Sequence, residues 1–243
     1  ALHAGKKVLE IYNSKNFKIQ YKGDNSPLTI ADIESNKIIS GYLNKTSIPI
    51  LSEEGKSILY DERKTWDKLW IVDPIDGTKE FIKRNGEFTV NIALVENQKP
   101  VLGVIYAPVL SELYFSSKEL GARKINIKNK NLDFSSILKL SEKLPILRDD
   151  KVYTVVASRS HLNVETESFI NTLKREKGKI NLISKGSSLK MCLVAEGSAD
   201  CYPRFAPTME WDTAAGQAIC TGAGFELIDV KTKKPMIYNR RKL

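Results

Sequence analysis

The strongest constraint on the fold is a change, along the chain, in the order of the predicted strands and helices. Short apolar strands follow one another from Leu69 to Phe115, and turn signals separate them. From Val152 to Ile228, strands and helices alternate instead. The first pattern predicts an antiparallel meander, and the second predicts layered α/β packing. We therefore predict an α+β first half that packs against an α/β second half.

The individual elements are predicted from periodicity and caps. A helix begins after Thr29, because Thr29 can cap it and Asp32 occupies the capping-box position. Predicted strands of the first half are 48–51, 69–72, 88–95, 101–106 and 113–115. In the second half, strands 152–157, 180–183, 199–202 and 225–228 alternate with helices 164–174, 187–196 and 211–219. The polar, basic stretch 118–151 is the predicted boundary, which gives subdomains 1–130 and 150–243 that act as one functional unit.

Charge is the unusual feature of the composition. The 243 residues include 38 Lys and Arg against 29 Asp and Glu, a net charge of +9. Such an excess indicates an anionic partner: nucleic acid, a membrane surface or a phosphorylated small molecule. The basic residues are dispersed, and no helix-turn-helix, RNA-recognition or zinc-finger pattern accompanies them, which argues against a dedicated nucleic-acid binder.

The same composition bears on localisation. No apolar run approaches the ~20 residues that span a bilayer. The first residues lack the apolar block of a signal peptide, and Cys192, Cys201 and Cys220 show no disulfide or metal-ligand spacing. We therefore predict reduced thiols and a cytoplasmic protein with at most peripheral association with the inner face of the cell membrane.

Acidic residues, the minority charge, lie just after predicted strands and at the start of a predicted helix. Asp73 and Asp76 follow the apolar strand 69–72, Glu53 follows strand 48–51, and Asp212 lies at the start of a predicted helix. Taken singly, Asp76 is better explained by an Asp-Gly turn and Asp212 by a helix N-cap. Taken together, converging carboxylates would repel one another unless a cation compensated them, and Mg²⁺ prefers oxygen ligands of this kind. Two such ions could clamp the attacking and leaving oxygens of a phosphate ester.

These residues also carry a specific resemblance. The block Asp73-Pro74-Ile75-Asp76-Gly77-Thr78, preceded by Glu53-Glu54 and followed by Trp211-Asp212-Thr213-Ala214-Ala215-Gly216, resembles the two signatures of the inositol monophosphatase superfamily. The continuation of the first block from Lys79 to Pro108, which begins Lys79-Glu80-Phe81, resembles the CysQ-type 3′(2′),5′-bisphosphate nucleotidases within it. Further matches run in order along nearly the whole chain. The resemblance implies a layered αβαβα sandwich of two packed subdomains.

The resemblance assigns the catalytic centre residue by residue. Glu53, Asp73 and the carbonyl of Ile75 would bind one Mg²⁺, and Asp73, Asp76 and Asp212 would bind a second. Glu53 and Thr78 would position the attacking water, with Asp32 hydrogen-bonded to Thr78. The phosphate would rest on the backbone N–H groups of Gly77 and Thr78. Lithium inhibition is a further trait that the resemblance implies.

The resemblance also assigns the nucleotide side of the site. His161, Ser187, Lys190 and Arg204 would surround adenosine and its 5′-phosphate. Without the resemblance, His161 is a surface or capping histidine, Ser187 a helix N-cap, Lys190 part of a solvated helix face and Arg204 half of a salt bridge.

The reaction implied is hydrolysis of adenosine 3′,5′-bisphosphate to AMP and phosphate, extending to 3′-phosphoadenylyl sulfate. The first alternative is an inositol phosphate or polyphosphate phosphatase of the same superfamily. The second, of another class, is a basic nucleic-acid or membrane-surface binding protein. Oligomeric state is left open by the sequence.

Overall fold

Two packed helices, α1 (Leu2–Asn13) and α2 (Ile30–Leu43), cover one side of the protein. The computed structural model describes residues 1–14, 19–21, 23, 27–128, 132–146, 152–158 and 163–243. The two-stranded hairpin β1 (Ile19–Tyr21) and β2 (Pro27–Thr29) joins the helices. The predicted capping box at the start of α2 is confirmed, since Asp32 Oδ2 accepts from Thr29 N at 2.7 Å.

A seven-stranded mixed sheet forms the centre of the part of the chain that the structure describes. Across the sheet its strands are β3 (Ile50–Ser52), β4 (Lys68–Asp76), β5 (Thr89–Glu96), β6 (Lys99–Ala107), β7 (Glu112–Ser117), β8 (Gly121–Asn126) and β9 (Glu142–Lys143). Strand β3 runs parallel to β4, and every other pair is antiparallel, so the predicted meander is confirmed. The basic stretch 118–151 contributes β8 and β9 to this sheet, and the division into subdomains stays a prediction.

The second half of the chain adds three layers to the sheet. Strand β10 (Tyr153–Ser158) pairs in parallel with β11 (Ile180–Lys185), and α6 (Val164–Lys177) connects them. Helices α7 (Leu189–Ala195) and α8 (Glu210–Gly222) lie between this pair and the central sheet. The remaining helices are short: α3 (Tyr60–Arg63), α4 (Thr78–Ile82) and α5 (Phe134–Leu140), with a 3₁₀ helix (Asn44–Thr46) directly after α2. The order helix, sheet, helix, sheet, helix is the predicted αβαβα sandwich.

The alternation of side chains along the strands builds a core on each face of the central sheet. Leu69 and Ile71 of β4 pack with Ala214 and Ile219 of α8. The neighbouring Val72 faces the other way and joins a cluster that includes α1 and α2. Because the first of these clusters draws on both halves of the chain, the halves share one core.

Helix α8 lies close against strand β6, and a glycine makes this approach possible. A Cβ atom added to Gly103 would collide with the carbonyl oxygen of Ala215 and come within 2.8 Å of Ala218 Cβ. The absence of a side chain at Gly103 therefore lets the backbone of α8 approach the sheet. This contact fixes the depth at which the first turn of α8 meets the end of β4.

Two predicted strands are wrong. In 199–202 only Cys201 forms a bridge, to Val155, and in 225–228 only Ile228 does, to Pro235. Each segment pairs only over a single bridge. Segment 199–202 lies beside β10, where Asp200 N donates to the carbonyl of Thr154 at 2.7 Å and Val156 N donates to that of Cys201 at 2.9 Å, but this pairing is too short to form a ladder. Predicted helix 187–196 is shorter than expected, because α7 begins at Leu189.

Candidate active site

The end of strand β4 carries two acidic residues on a bulge. The pairing of β4 with β5 shifts between Asp73, opposite Asn91, and Asp76, opposite Thr89. The prediction that both acids follow the strand is wrong, because β4 continues through Asp76. A bulge places an extra residue in one strand and turns the side chains that flank it. Here Asp73 Oδ1 accepts from Ile75 N at 3.1 Å.

Helix α2 holds both acid-bearing segments from behind. Ser35 Oγ donates to the carbonyl of Pro74 at 2.8 Å, inside the bulge. Asn36 Nδ2 donates to the carbonyl of Glu54 at 3.2 Å, and Asn36 Oδ1 accepts from Ser52 Oγ at 2.8 Å. These bonds fix the segment that carries Glu53 relative to β4.

Three carboxylates converge at this point. Asp73, Asp76 and Asp212 each offer an oxygen, and these atoms lie within 4.8 Å of one another. Asp73 is 1% exposed. Burial raises its pKa well above the usual range, and the charges of Glu53, Asp76 and Asp212 add to the effect. Burial and the charge of Asp76 raise the pKa of Asp212 to about 6.

This cluster fits a hard divalent cation. Its donors are all carboxylate oxygens, and the crowding that raises the pKa values of Asp73 and Asp212 is relieved when a cation binds among them. Glu53 interacts with Asp73 through charge and a side-chain hydrogen bond, so it belongs to the same centre. The structure thus gathers the four predicted acidic ligands, although their role as ligands stays a prediction.

Helix α8 presents Asp212 from its first turn. Asp212 Oδ2 accepts from Met209 N at 3.1 Å and from Thr208 Oγ1 at 2.9 Å. Met209 is the N-cap of α8 and Asp212 is the N3 residue of its capping box, so the interpretation of Asp212 as an N-cap is wrong, although its side chain does accept the N-cap N–H. One residue before Trp211, the fully buried Glu210 accepts from Asn239 N at 2.7 Å, which anchors the helix start to the C-terminal segment.

Thr78 and Asp32 form the predicted pair beside the cluster. Thr78 Oγ1 donates to Asp32 Oδ1 at 3.2 Å and lies 3.3 Å from the carbonyl oxygen of Ile75. Burial raises the pKa of Asp32, although hydrogen bonds from Thr29 and Thr78 oppose this effect. Gly77 precedes α4 with φ of 92°, a left-handed conformation that favours glycine.

A cavity of about 220 Å³ opens beside these residues. Its walls include predicted residues from both sides of the site: Glu53, Asp76, Gly77, Thr78, Ser187, Lys190, Arg204 and Asp212. Acidic and cationic groups therefore share one cavity, and Arg204 lies 3.9 Å from Asp212 within it. His161 lies outside the described residues.

Lys190 is buried rather than part of a solvated helix face. It is 3% exposed, and its Nζ donates to the carbonyls of Ser187 at 2.5 Å and Lys185 at 3.3 Å. Nζ also lies 5.4 Å from the ring centre of Tyr202. Burial lowers its pKa to about 8, against the opposing influence of Asp76.

Arg204 and Ser187 both reach toward the acidic cluster. Arg204 Nη2 lies 3.9 Å from Asp212 Oδ2 and donates to the carbonyl of Pro207 at 2.8 Å. Ser187 is not the N-cap of α7, which is Ser188; its hydroxyl instead donates to Asp76 Oδ2 at 2.8 Å.

Several residues of the site were missed at the level of sequence. Ser188 donates to Asp76, Asn91 donates to Ser188, and the ammonium of Lys190 lies over the ring of Tyr202. Glu80 and Glu87 are buried near the cavity, with Glu87 Oε2 accepting from Gly186 N at 2.8 Å. The only signal available was their position inside matching segments, since a lone hydroxyl or amide has no diagnostic pattern.

A layered sandwich with buried carboxylates gathered at the mouth of a partly cationic cavity is the arrangement of a metal-dependent hydrolase for anionic substrates. Comparison with known proteins identifies the group. Residues 1–243 match the inositol monophosphatase family, and the chain belongs to it.

Relatives within the family share one description. The 3′(2′),5′-bisphosphate nucleotidase CysQ of Shigella flexneri is 42% identical over 99% of this chain and 92% of its own length. The CysQ of Salmonella typhimurium is 44% identical over 96% and 89%. The crystal structure of CysQ from Bacteroides thetaiotaomicron, 53% identical, covers 100% of this chain and 90% of that one with a TM-score of 0.91. This agreement in sequence and structure extends across the entire fold.

Proposed function

We propose that the protein is a Mg²⁺-dependent 3′(2′),5′-bisphosphate nucleotidase that hydrolyses adenosine 3′,5′-bisphosphate to AMP and phosphate. The observation that carries the proposal is the cavity that joins the acidic cluster of Asp73, Asp76 and Asp212 to Lys190 and Arg204. A substrate with two phosphates needs one group at the reacting centre and a second anchored by cations. The relatives named CysQ support this substrate class.

Bound Mg²⁺ ions would be held by Glu53, Asp73, Asp76, Asp212 and the carbonyl of Ile75, and would supply neutralisation of the phosphate charge and acidification of water. The donor set of the cluster supports this assignment, since it consists of carboxylate oxygens.

The protein's own proton path begins at Thr78. Its hydroxyl has one proton, and the Asp32 carboxylate accepts it in preference to the more distant neutral carbonyl of Ile75. The lone pairs of Thr78 Oγ1 are thereby available to accept a proton from water in the cavity, with the hydroxyl proton passing to Asp32 Oδ1. The raised pKa of Asp32 makes this carboxylate a better proton acceptor than an exposed aspartate.

On the nucleotide side, Lys190 and Arg204 would bind the phosphate that is retained. Both lie at the cavity, and hydrogen bonds to two carbonyls fix the position of the Lys190 ammonium group. Ser187 and His161 complete the proposed set, and Gly77 and Thr78 would support the reacting phosphate. The net charge of +9 then serves to attract a small polyanion rather than nucleic acid.

Phosphate release tests the proposal. We expect purified protein with MgCl₂ to release phosphate faster from adenosine 3′,5′-bisphosphate than from inositol 1-phosphate, and more slowly when lithium is added. Asp73→Asn should abolish the release, whereas Asp133→Asn, at the exposed cap of α5, should not. Faster turnover of inositol 1-phosphate would instead establish the alternative, an inositol phosphatase.

The three free cysteines support a reducing compartment, and we propose the cytoplasm. Among the described residues, none of the helices has the length and apolar character needed to cross a membrane.

A further inference from the structure

Asp76 accepts hydrogen bonds from residues that lie outside the two signature blocks, Asp73–Thr78 and Trp211–Gly216. Two hydroxyls approach the same carboxylate oxygen: Ser188 Oγ lies 2.7 Å and Ser187 Oγ 2.8 Å from Asp76 Oδ2. Both come from the segment before α7, and Ser188 is 112 residues away from Asp76 along the chain. Ser187 Oγ also lies 2.6 Å from Thr89 Oγ1, so its single proton is shared between Asp76 and Thr89, and Ser188 is the contact that can be followed through the network.

The direction of the bonds through Ser188 follows from the donors present. Thr89 Oγ1 donates to Asn91 Oδ1 at 2.8 Å, since an amide oxygen can only accept. This bond turns Asn91 Nδ2 toward Ser188 Oγ, to which it donates at 2.9 Å. The single proton of Ser188 must then point away from Asn91.

Two oxygen atoms are within hydrogen-bond distance and could accept the Ser188 proton. Asp76 Oδ2 is 2.7 Å from Ser188 Oγ, and the backbone carbonyl oxygen of Asp212 is 2.9 Å from it. A charged carboxylate at the shorter distance is the stronger acceptor, so Ser188 donates to Asp76. The sequence Thr89, Asn91, Ser188, Asp76 is therefore a directed relay of hydrogen bonds.

The first three members of the relay are buried, and they join three elements that carry the site. Thr89, Asn91 and Ser188 are 0%, 1% and 2% exposed. Because these three side chains are almost inaccessible to solvent, a lost bond is not replaced by a bond to water at no cost. Ser188 touches the end of β4 through Asp76, strand β5 through Asn91 and the first turn of α8 through Asp212.

We propose that Asn91 and Ser188 are positioning residues that orient Asp76 as a cation ligand and set its place relative to Asp212. The inference rests on the metal centre of the proposed function. Ser188 bonds to one carboxylate side chain and lies against the backbone of the second, so it controls the side of the centre that Asp76 and Asp212 share. Neither residue needs to contact the substrate.

Metal binding without substrate is the first test. Free Mn²⁺ is counted by electron paramagnetic resonance in the presence of wild type, Ser188→Ala and Ser141→Ala. Ser141 is a matched control, because its buried hydroxyl also accepts one N–H, from Arg123, and donates to a carbonyl, that of Leu138. Loss of an outer partner of a ligand weakens metal binding by about 10- to 100-fold, so we expect at least a tenfold weaker Mn²⁺ affinity in Ser188→Ala only.

Kinetics supply a second readout that a merely structural role would not move. We expect Ser188→Ala to need a higher Mg²⁺ concentration for half-maximal rate, with kcat recovering at high Mg²⁺ and KM for the nucleotide unchanged. Ser188→Thr, which keeps the hydroxyl, should restore much of the Mg²⁺ response. Should Ser188→Ala fail to fold, Thr89→Val removes the first donor of the relay at nearly constant volume and should shift Mn²⁺ affinity in the same direction.

The outcomes separate this inference from the proposed function. Mn²⁺ affinity within twofold of wild type in Ser188→Ala would overturn the positioning role, as would a loss of kcat that high Mg²⁺ does not restore. Wild type that binds Mn²⁺ but leaves the nucleotide intact would contradict the proposed function alone, and the Mn²⁺ series would still decide the role of Ser188. Wild type that binds no Mn²⁺ would overturn both.

Discussion

Removal of one acid from the cluster should stabilise the metal-free protein. The substitution Asp212→Asn keeps the shape of the side chain and eliminates its charge. In the folded protein the pKa of Asp212 is about 6, against an ordinary value of 3.8, because burial and Asp76 disfavour the ionised form. At neutral pH and above, the metal-free wild type therefore carries a charge that folding disfavours.

The magnitude follows from that difference of about 2 pKa units. Each unit corresponds to about 1.4 kcal/mol, so ionised Asp212 lowers the free energy of unfolding by about 3 kcal/mol at pH 8. Asparagine gives up part of the bonds from Met209 N and Thr208 Oγ1, at a cost of about 1 kcal/mol. We expect Asp212→Asn to raise the free energy of unfolding by about 1–2 kcal/mol, or to raise Tm by roughly 2–8 °C.

The gain should depend on pH in one direction. Between the unfolded-state pKa near 3.8 and the folded-state pKa near 6, the folded wild type retains a proton that the unfolded chain has lost. Its stability therefore falls as the pH rises through this window. At pH 5, much of the folded wild type is protonated at Asp212, and the advantage of the variant should shrink or vanish.

Urea unfolding in EDTA at pH 5 and pH 8 provides the assay. Asp133→Asn is the control, since hydrogen bonds from Ser136 lower the pKa of that exposed cap and its removal should bring no gain at pH 8. The reasoning fails if Asp212→Asn is less stable than wild type at pH 8, or if its gain is equally large at pH 5. Added Mg²⁺ should stabilise wild type more than the variant, because it binds the folded cluster of carboxylates.

Two further predictions concern turnover. Thr78→Val should lower kcat by about 10²–10⁴-fold at saturating Mg²⁺, since it removes the hydroxyl that passes a proton to Asp32. Its circular dichroism spectrum should match that of wild type. A near-normal kcat in this variant would show that Thr78 is not part of the proton path. The KM for adenosine 3′,5′-bisphosphate should rise as the pH passes about 8, because Lys190 loses its proton there. In Lys190→Met the KM should be high at every pH between 7 and 9, and a rise that persists in this variant would assign the effect to another group.

Features written in neighbouring residues were predictable. The capping box of α2 depends on Thr29 and Asp32, three residues apart, and the alternating strands of the meander depend on a period of two. The false strands at 199–202 and 225–228 show the limit of this reasoning. An apolar run indicates that a segment is buried, but the length of its pairing with a strand distant in sequence decides whether it forms a ladder.

The same distinction between local sequence and tertiary contact applies to the four candidate acidic ligands. They can be recognised as candidates in the sequence, because Glu53, Asp73, Asp76 and Asp212 occupy motifs that match the family. Their convergence within 4.8 Å for three of them is a tertiary fact, set by the bulge in β4 and by the depth at which α8 meets the sheet.

By itself, then, the sequence determined the order of most elements through composition and short-range spacing, and its resemblance to a known family indicated the class of chemistry and the candidate acids. Only the tertiary structure decided that Lys190 is buried and donates to two carbonyls, and that Ser187 bonds to Asp76 instead of capping a helix. It also decided that Asn91 donates to Ser188, which in turn donates to Asp76. The physical reason is that hydrogen bonds of single hydroxyls, amines and amides have no period and no motif. Their partners are chosen by packing between elements about a hundred residues apart, as with Ser188 and Asp76 at a separation of 112.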